Sequence, residues 1–302
     1  NKTETILINN LETGAHHHHT SLSVSLNRKA LYGKTAQNCQ IHSISNKKHT
    51  YPDSHLKELV HTTGVINNGV TISPDSKKIA FSIIKNNTSE IYLMNIDANK
   101  NNYNRLTNLR KLALCPKWSK DGKSLAFVYK EETPGTGESN LWIIDLDTKQ
   151  YNQFKDLPIS GDSQYIEWSK ANEIVFHRHH HYQYSRINID SGKETELIKD
   201  AEKKGWGFGP VFNKDGSKCV ISWNRKDKKK RGLWLLDFNK KTEKLLIDSG
   251  HASSIGWSKD EKSFYFKDYG EKTVEIKKIN LKNKTIEDIM QLHTIFYNCG
   301  IS

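Results

Sequence analysis

A segment of about ten residues recurs along almost the whole 302-residue chain, and this recurrence restricts the fold more than any other feature. Full copies run from Ile72 to Phe81, Trp118 to Phe127, Phe212 to Ile221 and Trp257 to Phe266, and shortened copies run from Val24 to Tyr32 and Trp168 to Phe176. The second residue of each copy lies at position 25, 73, 119, 169, 213 or 258, so the period is 44 to 50 residues. A period of this length indicates a repeated supersecondary unit that stacks on its neighbours.

Each unit consists of short apolar runs of period two, separated by clusters of Gly, Asn, Asp and Lys. In the third unit these runs are 113–118, 124–129, 140–146 and 150–157. Period two predicts strands, and the polar clusters predict tight turns between them. We call the four strands of a unit a, b, c and d. Antiparallel four-stranded units repeated around an axis form an all-β fold, the β-propeller.

The turns between strands a and b carry a family resemblance. They read Ser73-Pro74-Asp75-Ser76 and Ser119-Lys120-Asp121-Gly122, and they are followed by Ile79-Ala80-Phe81 and Leu125-Ala126-Phe127. Together with Glu90-Ile91-Tyr92-Leu93 and Asn140-Leu141-Trp142-Ile143, these motifs resemble TolB-type propeller repeats and, more distantly, the propellers of oligogalacturonate lyases. The resemblance covers roughly residues 20–292. It implies a propeller that is exported to the periplasm or the extracellular space.

The repeats predict one domain over residues 1–302, with six complete blades and a partial seventh blade formed by the two termini. The predicted blades are 20–52, 66–108, 112–157, 163–200, 206–248 and 252–292. Residues 1–14 and 293–302 are predicted to close the ring, with Ile6 to Gly14 as an outer strand. No Pro/Ser/Gly-rich linker interrupts the repeat, which favours a single closed ring.

The formal net charge is +12, and residues 225–231 contribute six cations and one acid to it, a net +5. This run is the hairpin between strands b and c of the fifth unit. We interpret it as a solvated hairpin tip, with a patch for a polyanion as the alternative. No aromatic residue interleaves with these cations, which counts against nucleic acid as a partner.

Neither a membrane span nor a cysteine pair is apparent in the sequence. No apolar run approaches the length of a transmembrane segment. The four cysteines, Cys39, Cys115, Cys219 and Cys299, lie in different units without CxxC spacing. We therefore expect buried free thiols.

Strand direction alternates within a blade, so the d–a connections and b–c hairpins share one end of the propeller, which we call the d–a face. Its opposite is the a–b face. Twelve of the 14 histidines fall in segments predicted to lie at the d–a face, His61 among them. His18 and His251 occupy equivalent positions in the first and last units, with His293 nearby. Three converging imidazoles suffice for a divalent metal. A solvated loop is the alternative for each histidine cluster.

Other residues of the d–a face are predicted to bind a ligand. Trp206 and Phe208 lie in the Gly-rich segment 205–210, which the sequence predicts to be a d–a connection, and their rings suit stacking on a sugar. Packing of Trp206 beneath the loop is the alternative. Nearby loops supply the cations and the imidazole of the predicted set, namely Arg110, Arg178, His179 and Lys203.

Two functions follow from these observations. The first is a noncatalytic, exported TolB-like propeller that binds a protein, peptide or glycan partner through the d–a face and needs no cofactor. The second is implied by the lyase resemblance: a polysaccharide lyase of a uronate-containing chain, using Mn, Zn or Ca held by His18, His251 and His293. No G-x-S-x-G motif is present, so the sequence does not favour a serine peptidase. The catalytic base of a lyase, the ligand and the oligomeric state do not follow from the sequence.

Overall fold

A computed structural model of the chain describes residues 5–8, 22–25, 29–32, 35–36, 38–45, 56–64, 70–131, 139–154, 165–177, 184–198, 205–227, 230–270 and 273–293. Within these ranges side chains are described from residue 58 onward, apart from those of Trp206, Phe208, Met290, Leu292 and His293. The described residues form 26 strands. They contain no helix that is long and apolar enough to cross a membrane.

Five groups of four strands follow the second to sixth sequence units. In the second unit they are β7 (Thr71–Ile72), β8 (Lys78–Lys85), β9 (Thr88–Asn95) and β10 (Tyr103–Arg105). In the third they are β11 (Leu112–Trp118), β12 (Ser124–Lys130), β13 (Ser139–Asp145) and β14 (Tyr151–Gln153). In the fourth they are β15 (Ile166–Lys170), β16 (Glu173–His177), β17 (Tyr184–Asn188) and β18 (Glu194–Glu196). In the fifth they are β19 (Gly205–Phe212), β20 (Lys218–Arg225), β21 (Gly232–Asp237) and β22 (Thr242–Ile247). In the sixth they are β23 (Ala252–Trp257), β24 (Ser263–Tyr269), β25 (Thr273–Asn280) and β26 (Ile286–His293).

Neighbouring strands within each unit pair antiparallel in chain order, as predicted. The last three units are separate four-stranded sheets. A parallel bridge between Ser89 and Leu112 joins the second and third units into one larger sheet.

The first unit contains the strands before residue 64. They are β1 (Thr5–Ile8), β2 (Leu22–Ser25), β3 (Lys29–Tyr32), β4 (Thr35–Ala36), β5 (Asn38–Ser45) and β6 (Leu56–Thr62). Strand β5 pairs with β3 on one side and with β6 on the other. The outermost strand of this unit is therefore β6, which begins after the predicted end of the blade at residue 52.

The innermost strands of the six units contact one another in a ring. They follow the order β2, β7, β11, β15, β19 and β23, and β23 in turn contacts β2. This order is consistent with the predicted six blades around a central axis. Strand β1 differs from the prediction of an outer strand, because it pairs with the innermost strand β2. Its predicted partner at the C-terminus lies largely outside the described residues.

Three tryptophans at the same position of strand a join the third, fourth and sixth blades to the blades that precede them. Trp168 is 1% exposed, and its indole Nε1 donates to the Lys117 carbonyl at 3.0 Å. Trp257 donates in the same way to Val211 at 2.9 Å, and Trp118 to Thr71 at 3.3 Å. Each bond satisfies a polar group inside an apolar contact between units. The tryptophans therefore fix both the packing and the register of adjacent blades.

Buried free thiols are confirmed at the two described cysteine side chains. Cys115 and Cys219 are 4% and 0% exposed and form no disulfide. Burial raises the pKa of the Cys115 thiol to about 12. A thiol is nucleophilic only as the thiolate, so this cysteine is inert at neutral pH.

The a–b turns of the second, third and sixth units share one hydrogen-bond pattern that explains their Ser-x-Asp motif. In the third unit the Ser119 hydroxyl donates to Asp121 Oδ1 at 2.6 Å, and the Lys123 N–H donates to the same oxygen at 3.0 Å. Gly122 adopts a φ of 75°, a conformation that glycine tolerates best. The sixth unit repeats the pattern, since Asp260 accepts from the Ser258 hydroxyl and from the Lys262 N–H. These bonds lower the pKa of Asp121 and of Asp260.

The depressed pKa values predict acid lability of these turns. A carboxylate whose pKa is lower in the folded state stabilises the fold above its unfolded pKa, roughly 4, and loses that contribution as the pH falls toward the folded pKa. We therefore expect the free energy of unfolding, measured by urea titration, to fall between about pH 5 and pH 2. The fall should be shallower in the Asp121→Asn/Asp260→Asn variant. An unchanged slope would contradict this account, and Asp147→Asn is the control on the same face.

Candidate functional site

The strand register confirms which connections share the d–a face. Gly205 at the start of β19 pairs with Arg225 at the end of β20. Trp223 pairs with Gly232 at the start of β21, and Leu233 pairs with Ile247 at the end of β22. The starts of strands a and c therefore lie beside the ends of strands b and d. The connection 106–111, the basic hairpin 226–231 and the connection 248–251 all open on this face.

A buried carboxylate fixes the d–a connection between the second and third units. Glu90 is 8% exposed, and its Oε2 accepts from the Thr107 hydroxyl at 2.5 Å and from the Leu109 N–H at 3.1 Å. Its Oε1 accepts from the Arg110 N–H at 3.0 Å. Three hydrogen bonds compensate the burial of this charge.

The fixed connection displays two adjacent cations. Arg110 adopts a φ of 57°, and both Arg110 and Lys111 are exposed. The predicted ligand residue Arg110 therefore lies at the d–a face on a backbone that Glu90 anchors. Glu90 lies 20 residues before Arg110, so its role was not visible in the local sequence.

The Gly-rich segment 205–210 belongs to strand β19, which corrects its prediction as a d–a connection. Gly205 has a φ of 110°, and a Cβ at this position would lie 2.2 Å from the Asn224 carbonyl oxygen. The Tyr184 hydroxyl donates to the Gly207 carbonyl at 3.2 Å. The Tyr165 hydroxyl donates to the Pro210 carbonyl. The aromatic residues Trp206 and Phe208 occupy alternate positions, a period of two that is typical of a strand, and this was the signal for the correct assignment.

Backbone contacts place Trp206 and Phe208 at alternate positions of the innermost strand of the fifth unit. Trp206 pairs with Asn224, and Phe208 pairs with Ser222. Both positions lie near the d–a end of β19, as the predicted ligand-binding role requires. The remaining predicted ligand residues, Arg178, His179 and Lys203, lie outside the described residues.

The basic hairpin of the fifth unit begins in an aromatic cluster that sequence reasoning missed. The Arg225 guanidinium carbon lies 3.7 Å from the ring centroid of Trp223 and 4.0 Å from that of Trp234. Its Nη2 also forms an ion pair with Glu243 at 2.5 Å, and the Arg225 side chain is only 14% exposed. Arg225 is therefore a packed residue, whereas Lys226 is exposed as the solvated-hairpin interpretation expects.

A second contact closes the base of this hairpin. The Trp234 indole Nε1 donates to the Lys230 carbonyl at 3.0 Å, and the Arg231 Nε donates to the Arg225 carbonyl at 3.5 Å. The described ends of the hairpin, at Arg225 and at Lys230 and Arg231, are thus held in place by contacts with Trp223 and Trp234.

Two of the three histidines predicted to bind a metal belong to the same blade. His251 is exposed, and its carbonyl accepts from the Tyr269 N–H at 3.3 Å. His293 ends β26 and pairs with Thr273 of β25. Three strand spacings, roughly 14 Å, therefore separate the two backbones at the d–a end of the sheet. His18 lies outside the described residues, so the shared metal ion stays a prediction.

The described side chains contain no group of three or more His, Cys, Asp or Glu arranged to hold a metal ion. His61 corrects one detail of the histidine prediction, because it lies inside strand β6 and not in a d–a connection. Its Nδ1 lies 2.9 Å from Glu58 Oε1. The long-range pairing of β5 with β6 determines this position.

Radial four-stranded sheets around a ring of innermost strands define the chain as a β-propeller, and comparison with solved structures supports this class. TolB from Acinetobacter baumannii superposes with a TM-score of 0.64 at 16% identity, covering 84% of this chain and 61% of that one. This chain thus spans less than two thirds of the TolB chain that it matches.

Two further structures are similar in fold. A chain of a nidogen/laminin complex superposes with a TM-score of 0.59 at 13% identity, covering 87% of this chain and 92% of that one. The β-propeller domain of the trilobed protease from Pyrococcus furiosus, described as having an open velcro topology, gives a TM-score of 0.55 at 16% identity and covers 95% of this chain and 85% of that domain.

The TolB-type resemblance predicted from the repeats is therefore confirmed for the fold. No protein-family model matches the sequence. No curated protein matches it either.

Proposed function

We propose that the protein is a noncatalytic, exported propeller that binds an acidic protein, peptide or glycan through its d–a face. The observation that carries this proposal is that two cationic connections open on this face and that buried contacts anchor both of them. Glu90 anchors the backbone of Arg110, and the cluster of Trp223, Arg225 and Trp234 anchors the described ends of the basic hairpin at Arg225 and Lys230.

Anchored cations favour binding because little conformational entropy is lost when a ligand arrives. A loop that is already in its bound conformation avoids the ordering cost that a mobile loop would add. Cations on one face also attract anionic partners over a Debye length of about 8 Å at physiological salt. The rigid propeller thus supplies a platform, and its loops supply the recognition.

Removal of the anchored pair of cations should weaken binding of an acidic ligand. We expect the Arg110→Asn/Lys111→Ala variant to bind fluorescent oligogalacturonate or oligoglutamate about fivefold to thirtyfold more weakly, since each exposed charge contributes up to roughly 1 kcal/mol. Asn suits position 110 because it tolerates a positive φ. Fluorescence anisotropy at constant salt gives the affinities.

The matched control removes two adjacent exposed cations from the a–b face. The Lys77→Asn/Lys78→Ala variant should retain the affinity of the unaltered protein, because both lysines lie at the a–b turn of the second unit. Equal losses in the two variants would mean that net charge alone determines binding, and would contradict a site on the d–a face.

Export is the setting that the TolB-type resemblance implies. Fractionation of cells that express the natural gene should recover the protein with periplasmic or secreted markers. Recovery with cytoplasmic markers would contradict this part of the proposal.

A further inference from the structure

A β-bulge in the outer two strands of the first unit brings two potential metal ligands to one face of the sheet. The register of β5 with β6 shifts by one residue between positions 41 and 42, which leaves Leu59 as an extra residue in β6. Side chains alternate between the two faces of a regular strand, so residues three apart lie on opposite faces. The extra residue returns His61 to the face of Glu58.

The side chains of Glu58 and His61 are in direct contact at this bulge. His61 Nδ1 lies 2.9 Å from Glu58 Oε1, and the two side chains are 36% and 24% exposed for His61 and Glu58. An ion from solvent can therefore reach the pair. Two ligand atoms bound to one tetrahedral zinc ion at about 2.1 Å are roughly 3.4 Å apart. The observed contact needs only a small opening to admit such an ion.

The c–d turn of the second unit holds this part of β6 in place. Lys100 Nζ forms an ion pair with Glu58 Oε2 at 2.5 Å. The Asn101 side-chain oxygen accepts from the His61 N–H at 2.7 Å, and the Asn101 N–H donates to the Leu59 carbonyl at 2.8 Å. Lys100 thus engages one carboxylate oxygen and leaves Oε1 facing His61. A carboxylate that binds a metal commonly has such an outer partner.

The backbone register adds a third residue of a metal-binding type to the same face. His42 of β5 lies directly opposite Glu58 of β6. Directly opposite residues of an antiparallel pair share a face, with Cβ atoms about 4.5–5.5 Å apart. Two histidines and one glutamate therefore meet on one face of the first sheet, and this combination is a known zinc ligand set.

We propose that His42, Glu58 and His61 form a zinc-binding site on the first sheet. Two imidazoles and one carboxylate suit Zn²⁺, whereas Ca²⁺ and Mg²⁺ prefer sites made of oxygen ligands. Three protein ligands leave a fourth position for water. A bound ion links β5 to β6 and, through the contact of Glu58 with Lys100, reinforces the junction of the first and second units. This site is separate from the proposed binding function and shares no residue with the metal site predicted from the sequence.

Hydrogen exchange of the metal-free full chain during a titration with Zn²⁺ tests this site and separates it from the other histidines. We expect saturable slowing of amide exchange in residues 38–45 and 56–62, and no slowing there with Ca²⁺ at the same concentrations. Glu58→Gln and His61→Gln should each shift the response to more than about 100-fold higher Zn²⁺, because even outer partners contribute about 10- to 100-fold. An unaltered protein in which Zn²⁺ slows exchange only elsewhere, or nowhere, would overturn the proposal.

Two substitutions of His42 test the third ligand without relying on a single variant. His42→Gln should lose the response, whereas His42→Cys should keep it to within about tenfold, since a thiolate is also a zinc ligand. The matched control is Lys57→Gln, which should respond like the unaltered protein because Lys57 pairs with Ser43 and so lies on the opposite face of β6. A normal response in His42→Gln, or a His42→Cys variant no better than His42→Gln, would overturn the proposed ligand set.

Discussion

Replacement of Trp168 by alanine should lower the free energy of unfolding by about 3–5 kcal/mol, the range for buried tryptophans. Trp168 packs in a core shared by the third and fourth units, with Leu114 of β11 and Phe176 of β16 among its neighbours. Its loss leaves a cavity between the blades and also removes the donor to the Lys117 carbonyl. Because single domains are stable by only about 5–15 kcal/mol, this loss is a large fraction of the total. Urea unfolding followed by circular dichroism measures the change.

Two further variants separate the contributions to this effect. Trp168→Phe keeps most of the ring but removes the indole N–H, so we expect a smaller loss of about 1–3 kcal/mol from the unpaired carbonyl and the reduced volume. Ile286→Ala, at a residue that is 53% exposed, should change stability by less than about 0.5 kcal/mol. A Trp168→Ala variant as stable as the Ile286 control would contradict the inter-blade role.

Replacement of Arg225 by alanine should lower the free energy of unfolding by about 2–4 kcal/mol. The change removes the cation from two tryptophan rings and leaves Glu243 without its close guanidinium partner. Arg225→Lys should lose about half as much, since an ammonium lacks the planar face that stacks on indole. Thermal and urea unfolding report the stability.

The neighbouring Lys226 provides the matched control. Lys226→Ala removes a cation from the same run at an exposed position, so its stability should change by less than about 0.5 kcal/mol. Equal effects of the two alanine variants would show that Arg225 is a surface charge and would refute the packed cluster.

Much of the fold could be predicted from the sequence because each unit repeats the same local chemistry. In an a–b turn such as that of the third unit, the defining hydrogen bond joins Ser119 to Asp121, only two residues further on. The turn could therefore be predicted from the local sequence. The tryptophans of strand a recur at the repeat period, so their burial between blades could be predicted without knowing which atoms they contact.

The features that the sequence did not predict depend on contacts between residues that are distant along the chain. Strand β1 pairs with β2 although a long segment separates the two strands along the chain. Strand β6 likewise completes the first sheet although a second segment separates it from its partner β5. Arg225 turns toward Trp234, which lies on a different strand.

The candidate site could be predicted only in part, because some of its contacts also join residues that are distant along the chain. Strand alternation within a blade sufficed to assign Arg110 to the d–a face, because that inference needs only the order of the strands. The contact that fixes Arg110 comes from Glu90 in a different strand of the preceding unit, and no periodicity encodes it. The metal prediction requires His18 of the first unit to approach His251 of the last unit, and His18 lies outside the described residues.

The most direct test of the central claim is a hydrogen-exchange footprint of the protein with and without saturating oligogalacturonate. We predict slower amide exchange in the connection 106–111 and the hairpin 226–231, no change in the a–b turns, and no ultraviolet absorbance from unsaturated sugar products. Absence of a footprint, or protection confined to the a–b turns, would contradict a binding site on the d–a face. If unsaturated products accumulate and a chelator abolishes their formation, the protein is a metal-dependent lyase and the noncatalytic binding function is wrong.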